Sequence, residues 1–164
     1  ELDDLAALQA DTLDIALERV NLVPLIGRIV AETRARSRVH RLKLGAPQGL
    51  TTVGDKDRLS HIVEFLLRQA IRRNPRGCWI DIDLRRPLAG LARIEVRDYG
   101  RRLSARERTY LGHSPSADQS WSLVAQLVAR HGGQLTFETP AEGGLRVAVT
   151  LPTSGGRVSS LAAV

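Results

Sequence analysis

Arg97-Asp98-Tyr99-Gly100 closes a run of alternating apolar and charged residues, and it is the stretch of the chain with the most chemical promise. A carboxylate two residues before a glycine at a strand end is either a binding position or an ordinary turn. Other candidates are weaker. His40 falls in a strand, His61 in a long helix, His113 in a polar loop and His131 at a helix end. None stands with another His, Cys or carboxylate at metal-ligand spacing. His131, beside a helix C-terminus, is placed to cap it. Asp81 and Asp83 share one strand face, where solvation explains them. There is no Ser-centred nucleophile elbow and no Walker-type phosphate loop. The single cysteine, Cys78, excludes an intramolecular disulfide and any multi-Cys zinc site, which fits a reducing compartment.

The elements that must position these residues follow from apolar spacing. Leu2, Leu5 and Leu8, with Ala6 and Ala10, stripe a helix running to about residue 17, read as the end of a longer one. Asn21 caps a second helix that begins near Pro24. Val39 to Leu44 alternates as a half-buried strand, and Leu50 to Val53 is a short strand. From Asp55 to Arg73, Leu59, Ile62, Val63, Leu66, Leu67, Ala70 and Ile71 recur at helical spacing, and Asn74-Pro75-Arg76-Gly77 stops the helix. Trp79 to Leu84 and Ala92 to Asp98 are strands joined through Pro87-Leu88-Ala89-Gly90. Ser104-Ala105-Arg106-Glu107 is a capping box opening a short helix. Gly112 to Gln119 is a polar loop, and Ser120 to Arg130 is a helix ended by Gly132-Gly133. Gln134 to Glu138 and Leu145 to Leu151 are the last strands, and the Ser/Gly/Ala-rich tail from Thr153 is expected to fray. The order implies an α/β (α+β) two-layer sandwich.

Composition narrows the classes. In 164 residues, 24 Lys and Arg oppose 18 Asp and Glu, a net charge of +6. With 43% hydrophobic and 26% charged residues, the chain encloses a core and is not mainly disordered. No apolar run approaches the roughly 20 residues of a membrane span, and the N-terminal Glu1-Leu2-Asp3-Asp4 is not a signal peptide. A cytoplasmic domain, or the cytoplasmic part of a membrane-bound protein, is expected, with no membrane contact by this segment. Only Lys43 and Lys56 are lysines, and the arginines scatter. An arginine-rich nucleic-acid binder is one reading of that charge. With two each of Phe, Trp and Tyr and no aromatic-interleaved basic strand, a solvated arginine face is the stronger reading.

The order of blocks carries a resemblance. The long helix through Leu66-Leu67-Arg68-Gln69-Ala70-Ile71-Arg72, then Asp98-Tyr99-Gly100, then Leu127-Val128-Ala129-Arg130-His131-Gly132-Gly133, then Glu142-Gly143-Gly144 and Val147 to Pro152 come in sequence. From about Val20 to Pro152 the chain resembles the ATP-binding catalytic domain of sensor histidine kinases, within the gyrase, chaperone, kinase and mismatch-repair ATPase group (the Bergerat fold). The resemblance implies a five-stranded, mixed and largely antiparallel sheet with three helices on one face. Residues 1–19 resemble the end of a dimerisation helix and its linker, 20–152 the ATPase-like domain, and 153–164 a flexible tail.

By the same resemblance, ATP or ADP with Mg2+ is the expected ligand. Asp98 matches the aspartate that reads adenine, and Gly100 the first glycine of that box, where the backbone passes close to the base. Gln69 matches the helix Asn that holds magnesium; it keeps the amide oxygen but displaces it by one methylene. Phe65 matches the earlier Asn of that box, Arg72 its Lys and Arg73 its aromatic. Arg102 replaces the second glycine, and Asp118-Gln119-Ser120-Trp121 stands where a glycine-rich phosphate cradle belongs. The expectation is a retained base end with an altered phosphate end.

The resemblance further implies a homodimeric sensor kinase of a two-component system, with its own dimerisation domain or a partner kinase and a response regulator as partners. No His lies in a His-Glu/Asp…Pro setting, so no catalytic phosphoacceptor is expected on this chain. Three classes stay open: an active kinase module, a degenerate module acting through protein contacts, and the nucleic-acid binder.

Overall fold

The computed structural model describes residues 14–109, 111, 119–154, 157 and 158, with only the backbone considered at 119 and 120. The chain runs β1 (Glu18–Asn21), α1 (Leu22–Arg36), β2 (Arg41–Gly45), β3 (Thr51–Gly54), α2 (Lys56–Arg73), β4 (Trp79–Arg85) and β5 (Leu91–Asp98). It continues through α3 (Ala105–Thr109), α4 (Gln119–Arg130), β6 (Gln134–Glu138) and β7 (Arg146–Pro152). Five strands form one sheet in the order β2-β4-β5-β7-β6. Only the β2–β4 pair is parallel. The expected sandwich is present, with short α3 added to three long helices.

Alternation fixes which side of the sheet the helices cover. Ile80, Ile82 and Leu84 of β4 and Ala92, Ile94 and Val96 of β5 are buried, as are Val147, Val149 and Leu151 of β7. They meet the apolar stripes of α1, α2 and α4 in one core. The intervening residues, Trp79, Asp81, Asp83 and Arg85 among them, lie on the opposite side, which none of the described helices covers. A one-residue slip would exchange the two sets, so the register is strongly held.

Caps set the helix starts. Asn21 Oδ1 accepts from the Val23 N–H at 3.2 Å. Asp55 Oδ1 accepts from the N–H groups of Asp57 and Arg58 at 3.1 and 3.2 Å. His131 caps α4 as expected, Nδ1–H donating to Leu127 O at 2.7 Å. Its Nε2 accepts from the Asp55 N–H at 3.0 Å, which ties the end of α4 to the start of α2.

Two expectations change at the described positions, and a third falls almost wholly outside them. The helix expected to residue 17 is not continued over 14–17, which are irregular, and its residues 1–13 lie outside the described ones. Residues 18–21 instead pair antiparallel with β3, because Val20 is buried there opposite Thr52. The tail is held at its described positions. Thr153 N–H donates to Gly90 O at 2.9 Å and Val158 N–H to Gly132 O at 2.8 Å, with the Val158 side chain buried. Of the loop expected over Gly112 to Gln119, residues 112–118, with His113 and Asp118, lie outside the described residues, and Gln119 opens α4.

Candidate nucleotide site

The last two turns of α2 present Phe65, Gln69 and Arg73 at four-residue spacing, one stripe directed at the end of β5. Arg72 is one position off that stripe and exposed. Asp98 ends β5 on the helix-covered side and is 2% exposed. A carboxylate at that depth must be ion-paired or hydrogen-bonded.

Its partners come from the chain itself. Arg73 Nη2 donates to Oδ1 and Oδ2 of Asp98, each at 2.9 Å. Asn74 Nδ2 donates to Oδ1 at 3.2 Å, and so does the Gly100 N–H. Asn74 is also bonded to Ala70 O through Nδ2 (2.9 Å) and to the Arg101 N–H through Oδ1 (3.3 Å). Its carbonyl oxygen accepts from His40 Nε2 at 2.6 Å, which leaves His40 Nδ1 to accept from the Ser37 hydroxyl at 2.6 Å. A buried polar chain, Ser37–His40–Asn74–Asp98–Arg73, therefore joins α1, β2, α2 and β5. It is not fully satisfied: Arg73 Nε and Nη1 are buried without a partner.

Gly100 is required here, but by a protein neighbour. A Cβ at this position would collide with the Asn74 side-chain amide. Cys78, half-buried beside this network, has its thiol pushed up by desolvation first and by the Asp98 charge second.

Next to the Asp98 end the space is filled by apolar side chains. Phe65, at the position matched to a metal-box Asn, is 1% exposed. Trp121 meets it edge-on, with ring centroids 4.8 Å apart and planes at 90°. Phe137 meets Trp121 at 5.1 Å and 63°. Such edge-to-face contacts are favourable beyond the area they bury. Between Leu66, Gln69, Arg73, Asp98 and Trp121 the remaining cavity is about 10 Å³. That is room for one water, against roughly 300 Å³ or more for a small-molecule site. Bounded by these described residues, that hollow is smaller than a base.

The sequence-matched residues thus divide. Asp98, Gly100, Arg73 and Gln69 are brought together, whereas Arg72 and Arg102 are solvent-facing. Asn74, read from the sequence only as a helix stop, is the hub that was missed; an amide after a helix-ending arginine pair was the available signal. Among the described residues no group of three or more His, Cys, Asp or Glu stands ready to hold a metal ion. Larger hollows lie elsewhere: about 410 Å³ beside Leu17, Val53 and Arg130, and about 370 Å³ between α1 and α2.

The family model for histidine kinase-, DNA gyrase B- and HSP90-like ATPases matches residues 54–155, well over half of the chain, and the chain belongs to this family. Its fold is shared with solved kinase domains. A mycobacterial sensor histidine kinase, MprB, superimposes with a TM-score of 0.72 at 23% identity, covering 86% of this chain and 100% of that one. The catalytic domain of histidine kinase ThkA, in a nucleotide-free form, gives 0.74 at 18% identity over 85% and 97%. Acinetobacter baumannii histidine kinase AdeS gives 0.76 at 12% over 93% and 75%. No curated protein sequence matches. Among the described residues no helix is long and apolar enough to cross a membrane.

Proposed function

We propose that this histidine kinase-like ATPase domain has lost productive ATP binding and works in a two-component sensor kinase through protein contacts. Its partners would be its own dimerisation domain, a partner kinase or a response regulator. The observation that carries this reading is the Arg73–Asp98 pair. The carboxylate matched to adenine recognition already receives hydrogen bonds from a guanidinium, an amide and a backbone N–H. A base would have to displace a charge-assisted contact inside a cavity of about 10 Å³.

The phosphate end supports the same reading. Phosphoryl transfer depends on positioning and on cations that neutralise developing charge. Phe65 offers no metal ligand, and Gln69 offers its amide from an altered distance. Removal of one side chain does not rebuild that end.

Calorimetric titration with ATP, ADP and adenosine, each with and without magnesium, tests the reading. The unmodified chain should give no binding heat. Arg73→Ala should admit adenosine and ADP weakly and about equally, and Asp98→Asn on that background should abolish the gain. Magnesium-dependent ATP binding by the unmodified chain would return it to the active kinases.

A further inference from the structure

The side of the sheet away from the described helices carries a second candidate surface. Of the five large apolar side chains exposed among the described residues, three gather at one end: Val39 (56% exposed), Trp79 (54%) and Tyr99 (50%). Trp79 and Tyr99 stand directly opposite on β4 and just past β5, with the Tyr99 N–H donating to Trp79 O at 2.9 Å. Val39 lies against Gly77, where a Cβ would strike the Val39 carbonyl. Isolated apolar residues on a surface need no explanation, but a clustered patch does.

The charge around this patch is lopsided. Arg38, Arg41, Lys43 and Arg76 are exposed, and none makes an ion pair among the described residues. Arg41 lies 5.5 Å from the Trp79 ring centroid and Arg97 4.3 Å from that of Tyr99. The Arg97 side chain is only 9% exposed, yet its ion pair is a long 3.8 Å contact to the exposed Glu142. Its Nε has no partner, and Arg146 stands directly across from it on β7. Arg146 has its anions, Glu95 at 3.2 Å and Glu138 at 2.7 Å, whereas Arg97 has only the long contact to Glu142. Asp81, next but one to Trp79 on β4, is engaged by the Tyr99 hydroxyl at 2.9 Å.

We propose that this end of the open sheet face docks an acidic segment of a partner protein. An aliphatic or aromatic side chain of that segment would seat among Val39, Trp79 and Tyr99, and its carboxylates would meet the exposed Arg41 and Lys43. Trp, Tyr and Arg together are the residues that dominate binding energy at protein interfaces. A single-stranded nucleic acid fits less well, because its backbone needs a continuous cationic track, and Asp83, Glu95 and Glu138 interrupt this face beyond the patch, where a short acidic segment does not reach. The proposal rests on the reading of the chain as a protein-contact module. Magnesium–ATP binding would sink that reading, while the experiment below decides this surface separately.

The experiment titrates the isotopically labelled chain with a short peptide alternating glutamate and leucine, its lysine–leucine counterpart, and a uridine oligomer, followed by NMR. The acidic peptide should bind and shift the amides of residues 39–43, 79–81 and 97–99. Trp79→Ala and Arg41→Glu should each weaken it roughly tenfold or more, the scale of a hot-spot loss. Leu88→Ala, an exposed apolar residue in the β4–β5 hairpin, should change nothing. Added salt should weaken binding. Failure of the acidic peptide to bind, equal binding of the lysine peptide, tighter binding of the oligomer, or indifference to Trp79→Ala would each overturn the proposal.

Discussion

The two ends of the α2 stripe are packed by different physics. At the Arg73 end the closure is polar: a guanidinium, an amide and a backbone N–H converge on the Asp98 carboxylate. At the Phe65 end it is apolar, with three aromatic rings stacked edge to face against the core. The polar lock is conditional, because its members depend on one another and Arg73 is left with two buried nitrogens that have no partner. The aromatic plug is part of the core, and its stabilisation does not depend on any one partner's charge. One end is therefore open to reversal by a single substitution, and the other only at the cost of the fold.

Removing the plug should give the largest effect. Phe65→Ala should destabilise the chain by about 3–5 kcal/mol, the usual loss for a buried Phe. Urea unfolding measures it; a loss below about 1 kcal/mol would mean the rings merely line a site. The lock comes next. Arg73→Ala should cost about 3 kcal/mol, because it strands a buried carboxylate. The sharper statement concerns the double variant: Arg73→Ala/Asp98→Ala should be more stable than Arg73→Ala alone, since the uncompensated charge is gone. If the two losses simply add, the ion pair is not what holds this end shut.

How legible these ends were from sequence differs for a physical reason. Apolar periodicity placed α2, its stop at Asn74 and both strands that flank Asp98. The Ser104–Glu107 capping box formed as read, with reciprocal bonds of 3.1 Å. What was not legible was pairing across the fold. Asp98 and Gly100 bear the matched residue types, but whether such a carboxylate faces a ligand or Arg73 depends on a side chain 25 positions earlier. The role of Trp121 was hidden for the same reason, since Phe65 and Phe137 reach it from other elements. Strand β1 was missed because four residues, three of them exposed, show no period and are ordered only by β3.

The smallest expected effect lies where α3 joins the lock. Arg101 forms a two-pronged pair with Glu107, at 2.8 and 2.7 Å, and its N–H donates to Asn74 Oδ1. The Arg101 guanidinium first, and the Ser104 N–H after it, lower the Glu107 carboxyl from 4.5 to about 2. A folded-state value below the unfolded one means the stabilisation is complete above about 4.5 and is lost as pH falls toward 2. The two side chains are 50% and 38% exposed, so solvent screening holds the contribution to about 1 kcal/mol at most. Arg101→Gln should accordingly lower stability slightly at neutral pH, and the gap to the unmodified chain should close as pH approaches 2. Denaturation curves across that range measure the gap. A difference that persists at the acid end would have to come through the Arg101 backbone contact to Asn74, and would mean the substitution loosens the polar lock rather than the surface pair.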